Sequence, residues 1–188
     1  LEKLSQLLPT SYRKDSQALP FLYFVLFMST GGIVWGTLCS AYGLYYASII
    51  PFGYTVCSIL NLLLWNYFTQ KIPFSLVKGF QSFISLLLPY LLEMALGGFV
   101  SSGGVMIWAV LGLMSLLTFY GVKGAIFWLL VFLGLTIGVL YFDDYFFSNT
   151  PEVFQSDFMH SILLGINLTL VNAMIFFIGL YFINMQRN

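Results

Sequence analysis

PYLLEMALGGFVSSGGVMIW, residues 89–108, decides how this chain is read: one carboxylate, Glu93, sits within an apolar run directly ahead of a glycine- and serine-rich break. An ionised acid inside a bilayer costs on the order of 2 kcal/mol or more, so Glu93 must be neutral, hydrogen-bonded or facing water. Counted along a straight helix from Lys78, it lies about 22 Å from that end, in the outer third of the layer. Three readings stay open. Glu93 is a glutamate reaching headgroup water, the polar anchor of an outward-facing ligand or proton-sensing pocket, or a structural bond between helices. The basic residues all fall at span ends, which leaves Asn61, Asn66, Asn167, Asn172 and tyrosine or serine hydroxyls as its partners.

Outward from that stretch, the composition fixes the class. The chain has 188 residues, 60% hydrophobic and 7% charged, with a mean hydropathy of +0.92. That is a membrane composition, and it predicts one integral membrane domain. A net charge of zero argues against nucleic acid as a partner, since phosphate binding needs clustered Lys and Arg. Cys39 and Cys57 lie in separate apolar runs without metal-ligand spacing, as isolated membrane thiols do.

The apolar runs predict an all-α membrane protein with six transmembrane helices, over about 19–41, 44–69, 79–97, 105–120, 125–142 and 159–185. Residues 1–18 read as a cytoplasmic amphipathic leader, with Leu1, Leu4, Leu7 and Leu8 on one face and Pro9 ending the turn. Lys3, Arg13, Lys14, Lys71, Lys78, Lys123 and Arg187 all fall on one side of this layout. The positive-inside rule makes that side cytoplasmic, with both termini inside and Asp143, Asp144, Glu152 and Asp157 outside. The opening leucine and the uncapped end NMQRN predict a piece of a longer chain whose sixth helix continues into the cytoplasm.

Gly97, Gly98, Gly103 and Gly104 bracket Phe99, Ser101 and Ser102, which predicts at least a tight turn. The sharper expectation is a ligand-binding or sensing site made of Glu93, Phe99, Ser101, Ser102 and Trp108, roofed by Phe99, Trp108 and other aromatics. Small residues recur every fourth position at Gly32 and Gly36, at Gly134 and Gly138, and at Gly165, Thr169 and Ala173. Such stripes serve helix packing within a bundle or a dimer face. One histidine and scattered acids do not make a haem pair or a zinc site, and no phosphate-binding loop or nucleophile–base pair is present. No catalytic residue is identified in this chain.

The segment 93–119, EMALGGFVSSGGVMIWAVLGLMSLLTF, resembles the third and fourth spans of the six-helix membrane domain of bacterial class III adenylate/guanylate cyclases. Leu96, Gly97, Gly98, Phe99, Val100, Ser102, Gly104, Val105, Trp108, Leu111, Leu117 and Phe119 stand at the positions of that family's pattern; Leu113 replaces a common proline. The resemblance implies a dimeric, receptor-like anchor in the inner (plasma) membrane, passing a membrane-borne or extracytoplasmic signal through helix 6. It also implies a cytoplasmic domain past residue 188 that converts ATP to cyclic AMP with two divalent metal ions, Mg or Mn. A lipid or small apolar ligand is compatible with that role. The rival readings are a small transporter or channel, which needs a polar path across the membrane, and the sensor domain of a histidine kinase.

Overall fold

The computed structural model describes residues 17–68, 71–147 and 156–187, and their side chains apart from those of residues 118, 119, 147 and 181–187. Lys3, Arg13, Lys14, Glu152 and nearly all of the amphipathic leader lie outside the described residues, as does the side chain of Arg187. The chain forms α1 (Ala18–Ala41), α2 (Tyr45–Tyr67), α3 (Phe74–Ala95), α4 (Gly98–Ser101), a 3-10 turn (Val105–Trp108), α5 (Ala109–Tyr141), α6 (Asp143–Phe147) and α7 (Asp157–Arg187). The described residues contain no strand. Among the described residues five segments are long and apolar enough to cross a membrane: α1, α2, α3, Tyr120–Tyr141 and Asp157–Leu180. Val105–Leu117 is a shorter apolar helix. In hydrocarbon a backbone must satisfy its own donors and acceptors, and helices do so within one segment.

α1 and α2 form a hairpin through Tyr42 and Gly43, where Leu44 N–H donates to the Cys39 carbonyl at 2.8 Å. A Cβ on Gly32 would lie 2.6 Å from Thr55 Oγ1, and one on Gly36 would lie 2.6 Å from the Phe52 ring. This small-residue stripe is therefore used inside the chain, letting α2 approach α1 closely.

α3 begins at Phe74, five residues before the predicted start of the third span, so Lys78 is part of the helix. Lys78 is buried; its ammonium donates to Gln17 Oε1 at 2.7 Å and lies 4.7 Å above the Phe74 ring. A lysine one turn inside a helix end can hide its stem and still find a polar partner, and for that reason it marks no boundary.

Above Lys78, α3 and α2 share a ladder of buried polar groups. Asn61 donates to the Val77 carbonyl at 3.0 Å and to Gln81 Oε1 at 3.2 Å. The Gln81 amide donates to Tyr54 OH and Ser58 Oγ, each at 2.8 Å. Tyr54 and Ser85 hydroxyls meet at 2.9 Å. Gln81 is fully buried with its oxygen and both amide hydrogens engaged, and it sets the register of the helix pair.

α5 is two arms joined at Gly121, where φ 71 and ψ −177 interrupt the helix. Along the first arm, a Cβ at Gly112 would rest on Ser85, Ser115 meets Ser82 at 3.5 Å, and Tyr120 OH reaches the Ser75 carbonyl. The first arm thus runs antiparallel to α3. Trp128 then packs on Phe83 with ring centroids 6.3 Å apart, Thr136 reaches Met106 Sδ, and Asp143 reaches Phe99. The chain therefore reverses at Gly121 and returns to the Gly98 end. A single residue makes this turn where the sequence predicts one spread over 121–124. α7 starts at the Gly98 end and passes Gly103 and then Trp108.

Replacing Gln81 with leucine removes one bond each from Tyr54, Ser58 and Asn61, of which Tyr54 keeps Ser85 and Asn61 keeps the Val77 carbonyl, at about 1–3 kcal/mol for a buried group left unpaired. Gln81→Leu is expected to lower the midpoint of denaturant unfolding in mixed micelles, and Tyr54→Phe to lower it less.

Candidate functional site

α3 ends at Ala95 and the first arm of α5 begins beyond Val105, and the break between them lies at a helix end buried in protein. The first amides of a helix have no partner within it and must find one outside. Two side chains supply one here. Val105 N–H donates to Ser102 Oγ at 3.3 Å, and Met106 N–H donates to Glu93 Oε2 at 2.7 Å. Glu93 is fully buried. It stands in the last turn of its own helix and caps the start of the next, where the helix dipole favours negative charge.

The partner of Glu93 is thus a backbone donor, and none of the expected side chains. Asn61 belongs to the Gln81 ladder, Asn66 is exposed, and Asn172 donates to its own Leu168 carbonyl. The second carboxylate oxygen, Oε1, has no hydrogen-bond partner among the described residues. The nearby Ser102 hydroxyl donates to the Phe99 carbonyl at 3.3 Å.

A second acid holds the other turn of the break. Phe99 N–H, near the start of α4, donates to Asp143 Oδ1 at 2.6 Å. Asp143 follows the second arm of α5 and is brought here by the reversal at Gly121. Asn167 of α7 closes the third side. It is fully buried, accepts from the Trp108 indole at 2.9 Å, and donates to the carbonyls of Gly103 at 2.9 Å and Ser102 at 3.4 Å. Gly103 must be glycine on two grounds: its φ is +63, and a Cβ would lie 2.5 Å from Leu164 N. The last long helix therefore sits directly on the backbone of the break.

The five residues singled out from sequence do come together here, in a closed joint. Ser101 and Ser102 are fully buried, and Phe99 packs against Gly104. A cavity of about 40 Å³ lies next to the joint, between α1, α2, α3 and the 3-10 turn. Trp108 forms part of its wall, with Gly31, Gly32, Trp35, Pro51 and Pro89. Glu93, Phe99, Ser101 and Ser102 do not line it; of the two aromatics named from sequence Trp108 does, with Trp35 and Tyr54 beside it. The roles of Asp143 and Asn167 need long-range contacts that residue spacing cannot supply. Gly165, Thr169 and Ala173 are exposed along α7, and nothing lies within 4 Å of a Cβ placed at Gly165. No group of three or more His, Cys, Asp or Glu side chains placed to hold a metal occurs among the described residues.

Comparison with known protein families, with curated proteins and with solved structures finds no match to this chain.

A glutamine in place of Glu93 would still offer Met106 an acceptor, whereas alanine would strand the buried N–H at about 1–3 kcal/mol. Thermal unfolding in detergent is expected to show a small shift for Glu93→Gln and a large loss for Glu93→Ala. Equal behaviour of the two variants would remove the capping role.

Proposed function

We propose that this chain is the membrane anchoring and regulatory domain of a nucleotide cyclase, crossing the cell's inner (plasma) membrane six times with both ends in the cytoplasm. The observation that carries the relay is Asn167, which fastens the last long helix to the break and to Trp108. The cyclase assignment rests on the likeness of residues 93–119 to that family's third and fourth spans.

The reversal at Gly121 supports a fourth crossing and a fifth where helix length alone yields one long element. Lys78 and Lys123 gather at the end where Gln17 and Tyr120 lie, and Asp143 and Asp144 gather at the Gly98 end. Basic residues stay on the cytoplasmic side, which turns the break outward. α7 heads from the break toward the basic end, where a cytoplasmic effector would follow. Two such helices, packed through the open stripe at Gly165, Thr169 and Ala173, would make the dimer that a cyclase needs. ATP and its two divalent metal ions, Mg or Mn, would be held by residues past 188, since the described residues offer no such cluster. A signal changing how α7 sits on the break would then bias the placement of the two catalytic halves.

The buried ladder from Asn61 to Ser85 does not favour a transporter. Its groups are bonded to one another, and an apolar cavity separates it from the break, so it forms no continuous polar path.

Membranes bearing the full-length protein are expected to form cyclic AMP from ATP with Mg or Mn. Asn167→Leu is expected to change that rate several-fold at equal protein level. Absence of cyclic AMP would sink the cyclase reading. An impermeant maleimide should label Tyr145→Cys from outside intact cells and reach Lys123→Cys only after permeabilisation; the opposite pattern would overturn the orientation.

A further inference from the structure

The cavity beside Trp108 has a chemistry that points to one class of occupant. Its walls include two glycines without side chains, Gly31 and Gly32, and two prolines without amide donors, Pro51 and Pro89. The wall residue with a hydroxyl, Tyr54, spends that hydroxyl on Ser85 and Gln81. At about 40 Å³ the space is large enough for water, which would find too few polar partners to stay.

Its depth decides what can reach it. Pro89 precedes the end of α3 at Ala95 by six residues, and Trp35 precedes the end of α1 at Ala41 by six. Each is therefore about 9 Å below its helix end. That is inside an apolar layer roughly 30 Å thick, so the solvent at the mouth is hydrocarbon. Among the wall residues Ile50, Leu88 and Pro89 are partly exposed, which puts the mouth on their side, whereas Met28 and Trp108 are buried. The space is too narrow for a headgroup and suits a single chain.

We propose that the cavity takes the end of an acyl chain of a bilayer phospholipid, from the leaflet at the Gly98 end. The chain end packs against the Trp108 indole, whose N–H is fixed to Asn167 of α7. An inserted chain therefore presses on the residue that holds the last helix to the break. Binding rests on the membrane placement of the helices; its effect on α7 also rests on the relay proposed above.

The test is photolabelling of the full chain in bilayers of a phosphatidylcholine carrying a diazirine on its acyl chain, with adducts mapped by mass spectrometry. Met28 is 4% exposed and reads the cavity, while Leu130 and Ile137, 62% and 67% exposed, read ordinary lipid contact. Met28 is expected to be labelled, and filling the mouth with Ile50→Phe or, separately, Leu88→Phe should reduce that labelling about tenfold, equivalent to 1.4 kcal/mol. Leu130 and Ile137 should be unchanged in both variants. Background labelling of Met28 beside strong labelling of Leu130 would overturn this inference and leave the membrane reading intact. Loss of label at Leu130 as well would overturn the membrane placement. Labelling of Met28 by an added diazirine fatty acid and not by the phospholipid would overturn the assignment to bilayer lipid.

Discussion

The bond from Met106 N–H to the Glu93 carboxylate is the constraint on which the outer half of this molecule depends. A helix that starts inside protein and hydrocarbon must have its first amides satisfied, or the start moves toward water. The chain meets that demand with an acid from the preceding helix, 13 residues earlier. Once Met106 is fixed, Trp108 stands where it can both wall the cavity and bond to Asn167. The serines and glycines between then close into a joint whose backbone groups are shared among Glu93, Asp143 and Asn167.

Two kinds of packing meet at that joint. α1, α2 and α3 form a firm unit, drawn together by Gly32 and Gly36 at one interface and by the Gln81 ladder at the other. The second arm of α5 and the long α7 bury much less of themselves, and their apolar side chains, such as Ile137 and Phe176, face outward. An element bound to the rest at few places is the one able to shift, and α7 is held to the break through Asn167. That division suits an anchor whose core stays fixed while its last helix responds.

Much of the architecture is legible from hydropathy, because run length against bilayer thickness is a strong constraint. α1, α2 and α7 lie within two residues of their predicted spans. The start of α3 differs from the predicted one because a lysine reads as solvated, whereas Gln17 and Phe74 receive Lys78 inside the bundle. The Gly121 reversal is readable in place but not in sharpness; φ at one glycine is not encoded in hydropathy. Glu93 stands out in the sequence by its cost alone, yet its partner does not, since a search among side chains cannot find a backbone amide. Gln81, with Ser82 and Ser85 nearby on α3 and Tyr54, Ser58 and Asn61 on α2, carries a readable signal: polar groups spaced three or four residues apart inside apolar spans. Asn167 is legible as a polar residue inside a span, but its partners are not, nor is that of Asp143, because they lie 59 and 44 residues away.

The most direct test is the amide proton of Met106, observed by NMR in lipid nanodiscs. A short bond to a carboxylate places that proton far downfield, and the account predicts that Glu93→Ala moves it strongly upfield while amides of α1 stay in place. A Met106 resonance that ignores the loss of Glu93 would show that the acid does not hold the break, and the joint described here would fall with it.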